Sequence, residues 1–146
     1  MLYDVPQLLH DQIARAHDRA EIRVLLPSTI RTPFDRLYPG AFIRSGRYDL
    51  SLGAVRHCNE ATACFVAAFL GERTKARATG RRKVPLARGR IGRFTPTSCG
   101  ASCAAPQVQW REKGVLYTIQ AKVGTKDTER RRLVALANSA IRAGAR

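Results

Sequence analysis

Cys58, Cys64, Cys99 and Cys103 are the residues of this 146-residue chain best equipped for chemistry, and they fall into two close pairs, Cys-x5-Cys and Cys-x3-Cys. An even count at short spacing favours disulfides, the usual state of such pairs in oxidising compartments. Two nearest-neighbour bridges would each contribute about 2 kcal/mol by shrinking the unfolded ensemble. A zinc site that includes His57 and a set of inert buried thiols are the competing readings. Cys-x3-Cys lies within the range of structural zinc ligands, but Cys-x5-Cys fits it loosely and the loop offers no further histidine. A redox-active pair needs two intervening residues rather than three. Nucleophilic catalysis would call on Cys58 and His57, yet adjacent residues of an extended chain point to opposite sides.

The remaining reactive side chains are sparse. His10-Asp11 and His17-Asp18 repeat seven residues apart, which on a helix separates the pairs by about 10 Å, too far for one metal ion. They read as helix-surface residues. Ser98 and Ser102 have no evident base, and the 11 acidic residues do not cluster along the chain. No catalytic set and no cofactor are implied. Trp110 and Tyr117 are candidates for lining a ligand groove, although cross-strand packing in a core explains the same pair without a ligand.

The formal charge of +15 comes from 26 basic against 11 acidic residues, and 21 of the basic ones are arginine. Such a field attracts anionic partners, and arginine grips phosphate bidentately. The densest run, Arg73 to Arg93, supplies Arg77, Arg81, Arg82, Lys83, Arg88, Arg90 and Arg93 as polyanion-binding candidates. It contains no aromatic residue on which bases could stack, and no helix-turn-helix, zinc-finger or RNA-binding motif accompanies it. Nucleic acid is therefore a partner suggested by charge alone, and a general arginine bias gives the same composition without any site.

The elements that must position these residues follow from periodicity. Asp4-Val5-Pro6-Gln7 reads as a helix start, and Val5, Leu8, Leu9, Ile13, Ala16 and Ala20 continue at helical spacing, predicting a helix over 5–20. Strands are expected at Ile22–Leu26, around Tyr48, Leu50 and Leu52, and at Ala61–Leu70, where a helix capped by Asn59 is the alternative. A basic, mobile loop is expected over 72–83, followed by short strands at Val84–Leu86 and Phe94. Val108 and Trp110, then Lys113-Gly114, then Val115, Tyr117, Ile119 and Ala121 predict a hairpin. A helix over 127–143, capped by Thr125 or Asp127, carries the stripe Leu133, Leu136, Ala137, Ala140 and Ile141. The fold class is α+β: one domain with an antiparallel sheet and N- and C-terminal helices packed on one face.

Val84 to Leu86, Trp110, Gly114, Tyr117 and then Leu133, Leu136, Ala137 and Ile141 give the last 60 or so residues a resemblance to bacterial extracytoplasmic domains of the lipoprotein-sorting and anti-sigma-factor-associated sensor kind. The resemblance implies a curved sheet that holds a helix and binds an apolar or peptide partner. The expectation is a non-enzymatic binding or sensor-like domain of the cell envelope, secreted or extracytoplasmic, whose partner is another protein or an anionic envelope polymer. A cytoplasmic nucleic-acid-binding protein and a thiol or zinc enzyme are the alternatives. No segment has the ~18 apolar residues of a membrane span, and the start lacks the basic and apolar regions of an export signal, so the disulfide reading calls for a mature or trimmed chain.

Overall fold

The computed structural model describes residues 1–146. Asp4 opens the first helix as anticipated: its Oδ1 accepts from the Gln7 amide at 3.0 Å, with Pro6 in the first turn. The helix expected over 5–20 is two pieces, α1 (Val5–Leu8) and α2 (His10–Ala20). Leu9 between them departs from helical geometry, yet its amide bonds to the Val5 carbonyl and its carbonyl accepts from Ile13, so the ladder bends rather than stops. Short strands β1 (Leu2–Asp4) and β2 (Thr29–Arg31) pair across this segment as a two-stranded strap.

Seven strands make the main sheet: β3 (Tyr38–Arg44), β4 (Arg47–Gly53), β5 (Phe65–Arg73), β6 (Arg82–Pro85), β7 (Ile91–Thr95), β10 (Gln107–Glu112) and β11 (Val115–Ala121). Every pairing is antiparallel, in the order β3-β4-β5-β11-β10-β7-β6. A miniature hairpin, β8 (Ser98–Cys99) with β9 (Cys103–Ala104), hangs between β7 and β10. The terminal helix α3 (Glu129–Ala143) completes the fold. The expected β10–β11 hairpin forms in register, Trp110 opposite Tyr117 and Glu112 opposite Val115, and Lys113 and Gly114 make its turn, both at positive φ.

The register places Leu50, Phe69, Ile119 and Val108 across one face, with Tyr48, Gly71, Tyr117 and Trp110 one step along. This face and the apolar stripes of α2 and α3 share a single core cluster of 30 residues. A sheet face and two helix stripes that each need covering are satisfied by one another, which is why both helices lie on the same side.

Four local expectations are corrected. Ile22–Leu26 is extended and buried but pairs with no strand. It crosses the core, and its backbone is served by side chains and the chain end: Leu25 N–H donates to the Tyr48 hydroxyl at 3.2 Å, the Arg23 carbonyl accepts from the Tyr117 hydroxyl at 2.8 Å, and Arg146 binds the Val24 and Leu26 carbonyls. A short apolar run ended by Pro27 here reports a buried chain, not a ladder. The strand expected at Ala61–Leu70 begins only at Phe65, because residues 61–64 turn inside the Cys58–Cys64 loop. The basic loop is bounded more tightly than 72–83, by β5 through Arg73 and β6 from Arg82, and it is held along β10: Arg111 donates to the Thr74 and Ala76 carbonyls, and Thr79 donates twice to Gln109. The N-cap of α3 is Thr128, not Thr125 or Asp127. Thr125 contributes through its carbonyl, which accepts from the Thr128 and Glu129 amides.

Candidate functional site

All four sulfurs lie at bonding distance, Cys58 with Cys64 and Cys99 with Cys103, and no cysteine is left free. In that state neither Cys58 nor any other sulfur offers a thiolate to a metal or a substrate. The two pinned loops sit at the same end of the sheet, where β4, β7 and β11 finish and β5 and β10 begin.

Between the Cys99–Cys103 hairpin, the strap and the loop entering α3 opens a cleft of about 530 Å³. Its apolar lining includes Pro33 and Phe34 from beyond the strap, Val66, Ala104, Pro106 and Val123. Phe34 is 41 % exposed there, an uncommon position for a phenyl ring. Lys122 and Lys126 supply positive charge. Glu129, only 5 % exposed, is fixed at one wall: Oε1 accepts from the Thr97 amide at 3.1 Å and Oε2 from the Thr97 hydroxyl at 2.6 Å. The carboxylate also meets the positive end of the α3 dipole, a favourable placement. Lys122 donates through Nζ to the Thr62 carbonyl and so ties the first disulfide loop to the exit of β11. The strap is held from the other side by the Tyr3 hydroxyl on the Phe34 carbonyl at 2.7 Å. Walls so fixed make a preformed cleft of the size that small ligands and peptide side chains occupy.

Trp110 and Tyr117 do not line this or any groove. Trp110 is 1 % exposed and Tyr117 3 %; the rings stack with centroids 5.6 Å apart, Trp110 Nε1 donates to Glu112, and burial pushes the Tyr117 hydroxyl up to about 12. The groove reading is thereby corrected to the core reading. The arginine run is likewise broken up. Arg90 pairs with Glu112, Arg88 donates to the Arg142 carbonyl at the end of α3, and Arg73 donates to the Glu21 carbonyl. The ion pair engages Arg90 in holding the fold, whereas Arg88, bonded at 3.4 Å to a neutral carbonyl, stays exposed with its charge uncompensated. Arg77, Arg81, Arg82 and Lys83 remain exposed and Arg93 half-buried. His17 bonds the Arg146 carbonyl at 2.7 Å and His10 meets Asp11, both on the exposed side of α2.

The sequence also missed an acidic pair. Asp49 alternates out of the core face of β4 and stands beside Glu60 of the Cys58–Cys64 loop. Its Oδ1 is shielded from water and meets no donor. Burial first, and then the Glu60 carboxylate, push Asp49 up to about 7, with the Arg47 guanidinium opposing. The unfolded value is about 3.9. The native state therefore keeps a proton that the unfolded chain has released, and this group's contribution to stability is full below about pH 4 and lost as pH rises through about 7. Asp49→Asn, whose amide can donate to Glu60, is expected to raise the urea midpoint at pH 8 and to flatten its change between pH 5 and 8. An unaltered pH slope in the variant would place the dependence on other groups.

No family model, curated protein or solved structure matches the chain.

Proposed function

We propose that the chain is a non-enzymatic binding domain of the bacterial cell envelope that captures an apolar segment of another protein in the cleft beside the Cys99–Cys103 hairpin. The observation that carries the reading is a preformed apolar cleft with an exposed Phe34, walled by a disulfide-pinned hairpin. Two close cysteine pairs suit an oxidising compartment, and the hairpin-helix resemblance of the last 60 or so residues points the same way. Two of the three charged groups lining the cleft are occupied in holding it together, Glu129 by Thr97 and Lys122 by Thr62, and Lys126 stands without a partner base. That arrangement favours binding over chemistry.

Two measurements test the halves of the proposal separately. Non-reducing peptide mapping of protein isolated without reductant is expected to return Cys58–Cys64 and Cys99–Cys103 peptides; four alkylatable thiols would remove the envelope argument. An environment-sensitive apolar dye such as anilinonaphthalene sulfonate is expected to bind once per chain and to be displaced by apolar peptides. Phe34→Glu and Ala104→Trp, both at exposed positions of the cleft, should each abolish that binding without unfolding the domain. Dye binding undisturbed by both substitutions would mean that the cleft is not the site.

A further inference from the structure

At the other side of the α3 N-terminus lies a second cavity of different character. Arg81 just before β6, Arg82 at its first position, Lys126 in the loop before α3 and Arg130 in its first turn surround about 360 Å³ of space beside Phe94 and Pro96. Arg82 is register-paired with Phe94, so its side chain leaves β6 on the face toward α3, whereas Lys83 leaves on the opposite face. None of the four cations is in an ion pair. The two carboxylates in the lining, Asp127 and the Thr97-bound Glu129, offset only part of the charge of the four cations, leaving an excess of two positive charges.

In a chain so rich in arginine, one unpaired guanidinium means little. Here, however, four cations with no carboxylate partner come from three segments to line one cavity, whereas Arg47, Arg73, Arg90, Arg111 and Arg146 are each tied to a carbonyl or carboxylate. Like charges brought together repel one another, and an anion between them removes that repulsion. Donors arriving from several directions match the spread oxygens of a tetrahedral anion better than the two coplanar oxygens of a carboxylate, and guanidinium forks bind phosphate oxygens in pairs. The cavity is larger than a phosphate ion and leaves room for the group that carries it.

We infer that this pocket binds a phosphate group borne on a larger molecule, held by Arg81, Arg82, Lys126 and Arg130. The pocket shares Lys126 and Glu129 with the apolar cleft, but the inference does not rest on what that cleft binds. Two of its four residues lie outside the arginine run, so it differs from attraction by that run as a whole.

The test is titration with inorganic pyrophosphate at low salt, followed by amide chemical shifts, in the native protein and in charge-reversal variants that each change the net charge equally. Saturable one-site binding is expected, with shifts centred on residues 81–82 and 126–130. Arg81→Glu and Arg130→Glu should each weaken it at least ~10-fold, the loss of one charge-assisted contact, while Lys83→Glu and Lys113→Glu change it less than about threefold. Arg81→Gln, with an unchanged melting temperature, guards against a folding artefact. Vesicles of phosphatidylcholine with and without phosphatidylglycerol form the second arm: the same variant pattern on the anionic vesicles identifies a lipid headgroup as the source, and pyrophosphate binding alone identifies a soluble phosphoester. Equal weakening by all four reversals, or no saturation by millimolar pyrophosphate, overturns the inference.

Discussion

Trp110→Ala is expected to lower stability by about 3–5 kcal/mol, a large part of the ~5–15 kcal/mol that holds a domain together. The ring is the largest fully buried side chain, at 1 % exposure, and it stacks on Tyr117 in the middle of the β10–β11 hairpin. Truncation leaves a cavity in the core face of the sheet beside Tyr117, and a β10–β11 ladder fixed by hydrogen bonds cannot close it. It also removes the indole N–H from Glu112, which keeps Arg90 as its remaining partner. Trp110→Phe retains an aromatic ring to stack on Tyr117 while losing the donor and part of the indole volume, so its cost should fall between native and alanine. Urea unfolding of the three proteins is the measurement, and the expected order of midpoints is native, then Phe, then Ala. A native-like midpoint for the alanine variant would show that the ring contributes no packing and would return Trp110 to the candidates for a ligand surface.

That residue shows which parts of the fold were legible in the sequence. Val108, Trp110, Val115, Tyr117, Ile119 and Ala121 alternate on either side of Lys113-Gly114, and both strand register and turn follow from that local pattern. The stripe on α3 and the cap at Asp4 are local in the same way, as is the pairing of nearest cysteines. Ile22–Leu26 is not legible in this way, because a short apolar run before Pro27 shows that side chains are buried but not where the backbone bonds, and its partners, Tyr48, Tyr117 and Arg146, lie 23 to 122 residues away. The sites suffer most from this limit. Arg81 and Arg82 meet Lys126 and Arg130 only because β6 and the start of α3 flank one cavity, Glu129 meets Thr97 across 32 residues, and Asp49 meets Glu60 only when the first disulfide loop folds back on β4. Residue types could be read as candidates, but the geometry that divides structural arginines from unpaired ones exists only in the folded chain.

Gly71→Ala should destabilise the domain by about 2–4 kcal/mol, although it adds a single methyl group. Gly71 lies in β5 directly between Tyr48 of β4 and Tyr117 of β11. A Cβ at that position would stand 2.3 Å from Tyr48 Cε2 and 2.7 Å from its Cζ. The Tyr48 ring is fully buried and cannot swing into solvent. Its displacement would take the hydroxyl away from the Leu25 amide and leave a buried donor unsatisfied, so the damage should spread from the sheet to the 22–26 segment crossing the core. Tyr48→Leu removes the ring that the methyl group strikes, at a cost of its own. In a double-mutant cycle the two substitutions should therefore be coupled by at least ~1 kcal/mol, the double variant losing less than the sum of the singles. Hydrogen exchange gives a second readout: the Leu25 amide is expected to lose protection in Gly71→Ala before the amides of β10 and β11 do. Strict additivity in the cycle, with Leu25 still protected, would mean that Gly71 is not kept small by Tyr48 and that the segment over the core is anchored by some other contact.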